Sequence, residues 1–232
     1  MRLVTFPGVL RPPSDAYMLA HQLRQERLDE KSSVLDLCTG SGFLALVAAK
    51  SGAGSVTALD VSRRALAATW LNARLNGVRV RAVRGDLFDA VPGERFDVIV
   101  SNPPYLVSAS DELPRRGASR AWDAGTSGRA FLDPICDRAE HHLNPGGVLL
   151  LVHSSLCSEQ LTVDGLMGRG YDVRIAVRHR GPLGARMRPR ATMLRSRGLL
   201  SDDEAEEILV VRAVWPGESE RAASPRVAEQ VS

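Results

Sequence analysis

The run Asn-Pro-Pro-Tyr at residues 102–105 is the part of this 232-residue sequence that most specifically indicates chemistry, and it directly follows an apolar segment. Consecutive prolines fix two φ angles, and Pro103 keeps Asn102 out of the helical region, so the motif predicts a stiff loop. In such a loop the Asn102 side-chain oxygen and the Pro103 carbonyl oxygen can accept hydrogen bonds from both N–H groups of a planar amide or amine. Pro104 adds stiffness, and Tyr105 can stack on the planar group or close its pocket.

An amide nitrogen is a weak nucleophile because its lone pair is delocalised, and this loop is suited to that difficulty. Two accepted hydrogen bonds hold the nitrogen in line with an activated methyl group and let positive charge develop on it. The methylated nitrogen is acidic and releases its proton afterwards, so the motif needs neither His nor Glu as a base. The alternative interpretation is a proline-rich turn without a catalytic task.

A glycine turn after the first predicted strand has the composition of a cofactor site. Asp36 precedes Thr39, Gly40 and Gly42. The glycines let the backbone bend, and they let a ligand lie against bare amide groups at a helix N-terminus. With Ala45 they also fit the G-x-G-x-x-A pattern of dinucleotide sites. Asp36 favours another ligand, because a carboxylate there attracts the ammonium of a methionine moiety and repels a pyrophosphate. The alternative is that Asp36 only caps the turn.

Two further acidic residues follow predicted strands. Asp60 ends the second strand, where a carboxylate can accept hydrogen bonds from both ribose hydroxyls; capping of the helix from Ser62 is the alternative. Asp86 follows the third strand, where it can accept from an adenine amino group while Leu87 packs on the ring; a simple Gly-Asp turn is the alternative. The ordered set of acids predicts a nucleoside cofactor at the carboxyl ends of the strands.

Apolar runs alternate with amphipathic segments in a βαβ rhythm, which predicts an α/β fold with a mainly parallel sheet and helices on both faces. The predicted strands are 33–37, 55–59, 78–83, 96–101, 147–153, 171–178 and 208–214. The predicted helices are 14–28, 42–50, 62–75, 128–142 and 158–169. We expect one domain over 1–215, with 1–30 covering the cofactor site, and a disordered tail over 216–232.

The remaining composition limits the possible partners. The formal net charge is +3, which is weak evidence for an anionic partner. Three cysteines without paired spacing predict neither a disulfide framework nor a metal site. No apolar run is long enough for a membrane span or a signal peptide, so we expect a cytoplasmic protein. The stretch 181–206 has few helical features and contains five arginines, which favours a solvated loop over an RNA-binding surface.

Over residues 36–105 the chain resembles the class I methyltransferases that carry an Asn-Pro-Pro-Tyr motif. It is most similar to the HemK/PrmC-type protein-(glutamine-N5) methyltransferases, in the short eukaryote- and archaea-like branch without the N-terminal substrate domain. Residues 10–17, Leu-Arg-Pro-Pro-Ser-Asp-Ala-Tyr, resemble that branch's Pro-x-x-Asp-Thr-aromatic stretch, although Ala16 replaces the Thr. Residues 121–129, Ala-Trp-Asp-Ala-Gly-Thr-Ser-Gly-Arg, resemble its Ala-Trp-x-Gly-Gly-x-x-Gly-Arg run. In all, the resemblance covers residues 8–214.

The resemblance implies a Rossmann-like class I methyltransferase fold, with seven mostly parallel strands of which the last is antiparallel. It implies S-adenosyl-L-methionine as the cofactor, bound by Asp36, Thr39, Gly40, Gly42, Asp60, Asp86, Leu87 and Asn102. The implied acceptor is the glutamine of a Gly-Gly-Gln motif in a translation release factor, bound by Asn102, Pro103 and Tyr105. Trp122 is then a wall of the acceptor pocket, with a core position as the alternative. In eukaryotes this branch works with a small zinc-binding activator subunit, so such a partner is a candidate.

Three other functions compete with this one. An adenine-N6 methyltransferase would hold a flipped base with Asn102 in the same way. An NAD-dependent oxidoreductase would use Gly40, Gly42 and Asp60, but it leaves Asp36 and the Asn-Pro-Pro-Tyr run without a task. A non-catalytic binding module does not explain an intact Asn102.

Overall fold

Seven strands and six α-helices make up the fold in the computed structural model, which describes residues 1–114, 117–200 and 205–217. The strands are β1 Ser33–Leu37, β2 Ser55–Asp60, β3 Arg81–Arg84, β4 Phe96–Ser101, β5 Leu143–Ser154, β6 Asp172–Pro182 and β7 Ala205–Val214. The helices are α1 Ser14–Leu23, α2 Phe43–Lys50, α3 Arg63–Leu75, α4 Leu132–Arg138, α5 Glu159–Gly168 and α6 Ala191–Ser196. The predicted tail 216–232 lies, from residue 218 onward, outside the described residues.

The strands form one sheet in the order β3-β2-β1-β4-β5-β7-β6. Strands β1 to β5 pair in parallel, and β7 pairs antiparallel with both β5 and β6. The predicted fold, with a mostly parallel seven-stranded sheet and an antiparallel last strand, is therefore confirmed.

Alternation along the strands divides the core between the two faces of the sheet. In β5, Val148, Leu150 and Val152 pack into one buried cluster with residues of α1 and α2. The intervening Leu149 and Leu151 pack into a second cluster with residues of α4 and α5. Because side chains alternate along a strand, this pattern is what a sheet covered on both faces requires.

Several predicted boundaries are wrong. Helix α1 ends at Leu23 instead of residue 28, and Glu26 beyond it forms a bidentate ion pair with Arg212 of β7 at 2.9 and 3.0 Å. Strand β3 begins at Arg81 instead of residue 78. The predicted helix 128–142 is shortened to α4, which is followed by a 3-10 turn.

The stretch 181–206 is more ordered than the sequence predicts. It contains a 3-10 turn at Arg188–Arg190 and helix α6. We call residues 183–200 the arginine segment. Its apolar side chains form a small separate core with two residues from elsewhere in the chain; the six members are Val107, Leu156, Leu183, Met187, Leu194 and Leu200. The predicted solvated loop is therefore corrected to a packed helical segment. Among the described residues, no helix is long and apolar enough to span a membrane.

Candidate active site

A cavity of ≈ 1340 Å³ opens at the carboxyl ends of the parallel strands. Its walls include Thr39 after β1, Asp60 at the end of β2, Asp86 after β3 and Asn102 after β4. Residues 7–16 of the N-terminal segment line it as well. Ligands of open α/β sheets bind at this edge, and the volume exceeds the roughly 300–1,000 Å³ of a pocket for one small molecule. The cavity therefore has room for two reactants.

The glycine turn, residues 38–42, connects β1 to α2 through left-handed backbone. Cys38, Gly40 and Gly42 have φ angles of 58°, 55° and 81°. A Cβ on Gly40 would have no neighbour closer than the Cys38 carbonyl oxygen at 4.0 Å, so the glycine leaves open space beside the cavity. The Gly40 N–H donates to Asp60 Oδ2 at 3.0 Å, which joins the turn to the end of β2.

Gly42 is placed differently from its predicted role in cofactor binding. It is not part of the cavity wall, and a Cβ there would lie 2.8 Å from Thr69 Cγ2 of α3. Gly42 therefore allows α3 to pack closely behind the turn. Thr69 is fully buried, and its hydroxyl donates to the Gly40 carbonyl oxygen at 3.2 Å.

Asp36 also lies behind the cavity wall. Its side chain is fully buried, and its Oδ2 accepts hydrogen bonds from the Thr39 hydroxyl at 2.5 Å and from the Ala45 N–H of α2 at 2.9 Å. Among the described residues, Oδ1 has no partner. Burial raises the pKa of Asp36 to about 7, although these two hydrogen bonds lower it. The structure thus gives Asp36 the capping position that was the alternative interpretation, and its hydrogen bond with Thr39 links it to the cavity wall.

Asp60 is a half-buried part of the cavity wall. Its Oδ1 accepts from the Ser62 N–H at 2.8 Å and its Oδ2 from Gly40, while burial raises its pKa above the ordinary value. The cap of α3 is Ser62 itself, whose hydroxyl accepts from the Ala65 N–H at 3.3 Å, and Asp60 holds the backbone N–H of this capping residue. The positive charge of Arg120, which also lines the cavity, partly offsets the rise in the pKa of Asp60.

Asp86 and Leu87 form the wall after β3. Asp86 is exposed at the cavity rim, and Leu87 beside it is buried. Leu87 has a φ of 42°, an uncommon conformation for a residue with a Cβ. A Cβ on the preceding Gly85 would lie 2.2 Å from the Ala90 Cβ, so glycine is required for this tight turn.

The Asn-Pro-Pro-Tyr loop, residues 102–105, begins where β4 ends. The Ser101 hydroxyl donates to the Leu37 carbonyl oxygen of β1 at 3.0 Å, which fixes the base of the loop beside the glycine turn. Asn102 is half-buried in the cavity wall, and Pro103 and Pro104 are buried. Within the part of the chain that the structure describes, the Asn102 carboxamide has no hydrogen-bond partner. It is therefore available to a ligand.

Tyr105 is fixed by groups outside the loop. Its hydroxyl donates a hydrogen bond to the buried carboxylate of Asp15 in α1, and its carbonyl oxygen accepts from the Cys157 thiol at 3.0 Å. Burial, and next the charge of Asp15, raise the pKa of Tyr105 well above its ordinary value. Asp15 was not predicted as a site residue, although it lies in the 10–17 stretch that resembles the family.

Trp122 belongs to the cavity wall and is half-buried, so the core alternative is wrong. Its carbonyl oxygen accepts from the N–H of Leu106, directly after Tyr105, at 2.7 Å. The guanidinium of Arg186 lies over the indole at 4.7 Å from the ring centre. Arg186 and Glu206 also lie in the cavity wall, and the sequence did not predict either as a site residue.

Comparison with known proteins identifies the family of this chain. A relative from Methanocaldococcus jannaschii that carries the name protein N5-glutamine methyltransferase is 34% identical over 183 residues, which are 78% of this chain and 90% of the relative. The chain belongs to the protein N5-glutamine methyltransferase family. The Methyltransferase small domain family matches residues 14–114.

Other relatives extend the comparison. A release factor glutamine methyltransferase from Deinococcus radiodurans is 39% identical over 157 residues, 65% of this chain and 56% of the relative. The chain thus spans about half the length of that relative. The Mtq2-Trm112 complex of E. cuniculi, responsible for methylation of the eRF1 translation termination factor, contains a chain with a TM-score of 0.63 and 22% identity; the match covers 90% of this chain and 99% of that one. At this identity the likeness shows the fold alone.

Membership of the family confirms that this protein is a methyltransferase and that its cofactor is S-adenosylmethionine. The NAD-dependent oxidoreductase and the non-catalytic module are thereby excluded. The residues present fit the cofactor: Gly40 leaves open space beside the cavity, and Asp60 presents a carboxylate to it. Thr39 completes this end of the wall.

Proposed function

We propose that this methyltransferase transfers a methyl group to the side-chain nitrogen of a glutamine in a protein, and that the protein is a translation release factor with a Gly-Gly-Gln motif. The observation that carries the proposal is the Asn102 carboxamide, which lies at the end of β4 in the same cavity as the glycine turn and has no partner among the described residues. A carboxamide pairs well with another primary amide, because each has N–H donors and a carbonyl oxygen that accepts them.

At the cofactor end, Thr39, Gly40 and Asp60 hold the methionine and ribose parts, and Asp86 with Leu87 holds the adenine. Gly42 and Asp36 act indirectly in this scheme. Gly42 lets α3 pack against the turn, and Asp36 fixes Thr39 and the first turn of α2. A buried carboxylate near a cationic ligand still attracts it through the low-dielectric interior.

At the acceptor end, the loop binds and orients the glutamine amide. S-adenosylmethionine, when bound, supplies a methyl group activated by a positively charged sulfur. The Asn102 side-chain oxygen and the Pro103 carbonyl oxygen accept the two N–H groups and stabilise the positive charge that develops on nitrogen. Pro104 keeps the loop rigid. The nitrogen then loses a proton to water, so no residue of the chain is needed as a base.

Tyr105 and Trp122 shape the acceptor pocket. The Tyr105 hydroxyl stays protonated because of its raised pKa, so its ring contributes packing against the planar amide and not proton transfer. Trp122, hydrogen-bonded to the Leu106 N–H through its carbonyl oxygen, forms the adjacent wall of the acceptor pocket.

We propose that the single domain extends over 1–215 and that residues 7–16 cover the cofactor.

A small activator subunit is part of the proposal, because the E. cuniculi neighbour was solved as a complex of two proteins. Since release factors act at the ribosome, we place the enzyme in the cytoplasm. Full turnover by the chain alone would remove the activator from this proposal.

The experiment that tests the function is transfer of radiolabelled methyl from S-adenosylmethionine to two substrates. One is a release factor with the Gly-Gly-Gln motif, together with a variant in which that glutamine is replaced by alanine. The other is an adenine-containing oligonucleotide. We expect label on the first, none on its alanine variant and none on the oligonucleotide. Label on adenine alone would replace the proposal with nucleic-acid methylation.

A further inference from the structure

The arginine segment contains several guanidinium groups, and most of them bind within the protein. The pairs are Arg188 Nε with the Leu183 carbonyl oxygen at 3.0 Å, Arg190 Nη1 with the Val107 carbonyl oxygen at 2.7 Å, Arg190 Nη2 with Asp123 Oδ1 at 2.6 Å, and Arg197 Nη1 with the Ser108 carbonyl oxygen at 3.0 Å. The bonds of Arg190 and Arg197 attach the segment to residues that precede and follow Trp122. The guanidinium N–H groups in these bonds are not available to the phosphates of a nucleic acid.

Arg186 is the exception within this segment. Its guanidinium lies over Trp122, and among the described residues it makes no hydrogen bond and no ion pair. It is exposed and forms part of the cavity wall together with Asn102 and Tyr105. Its N–H donors are therefore available beside the acceptor loop.

The backbone that carries Arg186 is fixed. The buried carboxylate of Glu206 accepts from the Gly184 N–H at 2.9 Å and from the Ser154 hydroxyl at 2.8 Å. The Met187 N–H donates to the Gly184 carbonyl oxygen at 2.8 Å and closes the turn around Arg186. Trp122, on which Arg186 stacks, is itself held by the hydrogen bond from the Leu106 N–H. Both residues of the stack are therefore positioned before a substrate arrives, which lowers the entropic cost of binding.

We propose that Arg186 is a substrate-binding residue that donates hydrogen bonds to main-chain carbonyl oxygens of the peptide beside the methylated glutamine. This inference rests on the proposed function. A glutamine that enters the cavity by its side chain leaves its main chain at the rim, where carbonyl oxygens that lose water need new donors. A guanidinium suits them, because it offers five donors in a plane, is weakly hydrated, and is preorganised by the indole.

The test compares wild type with Arg186→Ala and Arg186→Lys, on a nonapeptide centred on Gly-Gly-Gln. Arg27→Ala, an exposed arginine outside the cavity, is the matched control. Peptide affinity is measured by calorimetry on enzyme saturated with S-adenosylhomocysteine, alongside KM, kcat and cofactor affinity. We expect Arg186→Ala to weaken peptide binding roughly ten- to hundredfold, the range for hydrogen bonds from a charged group. Its kcat, cofactor affinity and unfolding midpoint should stay close to wild type.

Each other outcome has a definite meaning. Arg186→Lys should recover only part of the affinity, because it keeps the charge and loses the planar donors. A peptide affinity unchanged in Arg186→Ala overturns the inference while the proposed function stands, and so does a loss shared equally by kcat and cofactor affinity. A wild type that binds and methylates an adenine oligonucleotide but no glutamine peptide overturns both.

Discussion

The hydroxyl of Tyr105 donates a hydrogen bond to the carboxylate of Asp15, 90 residues earlier in the chain, and the two residues are only 8% and 6% exposed. Asp15 Oδ1 accepts a second hydrogen bond from the Ala16 N–H at 2.7 Å. The contact joins α1 to the Asn-Pro-Pro-Tyr loop. The position of the aromatic ring that closes the acceptor pocket therefore depends on a residue of the N-terminal segment.

We expect Tyr105→Phe to lower the free energy of unfolding by about 1–3 kcal/mol, because it leaves a buried carboxylate oxygen without its donor. Urea denaturation with Asp15→Asn and the double variant measures the coupling. The loss in the double variant should fall short of the sum of the two single losses, since both remove the same contact. Additive losses would show that the two side chains do not stabilise each other.

Asn102→Ala should separate binding of the cofactor from catalysis. We expect its affinity for S-adenosylmethionine to stay within about twofold of wild type, while turnover falls on the order of a hundredfold or more, as for loss of a group that stabilises transition-state charge. Calorimetry and radiolabelled transfer give the two quantities. Asn144→Ala makes the same change at an asparagine that binds Asp97 away from the cavity, and it should keep near-normal turnover. Near-normal turnover in Asn102→Ala would show that this amide does not orient the acceptor.

The parts of the fold and site that local sequence determines were predictable. Strands β1 and β4 have the predicted bounds because each is a short, mostly apolar run, followed by the glycine turn in one case and by the Asn-Pro-Pro-Tyr loop in the other. The positions of Asp60, Asp86 and Asn102 around one cavity follow from the rule that parallel strands end at one edge. The site could be predicted because a polar residue follows each of several successive strands.

The parts that depend on contacts between distant residues were not predictable. The Tyr105–Asp15 pair, the Thr69 contact behind Gly42 and the Arg186–Trp122 stack each join segments far apart in the chain. Helix α6 was missed because it has only six residues, and its stability comes from packing against Val107 and Leu156 and not from its own periodicity. The burial of Asp36 was missed because its side chain lies under the first turn of α2, where the Ala45 N–H donates to it.

Asp36 should make stability and cofactor affinity depend on pH. Burial raises its pKa from 3.8 to about 7, so between these values the folded state holds a proton that the unfolded chain has released. The unfolded chain then binds fewer protons, so the free energy of unfolding falls as pH rises from about 4 to 7 and levels off above. We expect the free energy of unfolding of Asp36→Asn, measured by urea denaturation, to lack this fall between pH 4 and 7. Asp97→Asn is the control, because the pKa of Asp97 is lowered and lies below the window.

The same carboxylate should link cofactor binding to proton release. If the ionised form attracts the methionine ammonium, affinity for S-adenosylmethionine rises as pH increases from 6 to about 7 and then levels off. We expect this profile in wild type and a flat profile in Asp36→Asn, both by calorimetry. Identical profiles in the two proteins would limit Asp36 to capping α2.

Gly42→Ala should show that the glycine turn depends on close packing and not only on backbone freedom. Gly42 and Gly93 have φ angles of 81° and 71°, so an alanine at either position incurs the left-handed cost of roughly 1–2 kcal/mol. A Cβ on Gly93 meets nothing within 4 Å, whereas one on Gly42 lies 2.8 Å from Thr69 Cγ2 and 3.0 Å from Thr69 Cα. We therefore expect Gly42→Ala to be less stable than Gly93→Ala by a further 1–3 kcal/mol or so, the usual cost of overpacking a core. Urea midpoints give the comparison, and Thr69→Ala in the Gly42→Ala background should recover part of the difference. Equal stability of the two alanine variants would mean that α3 can move away from the turn without cost.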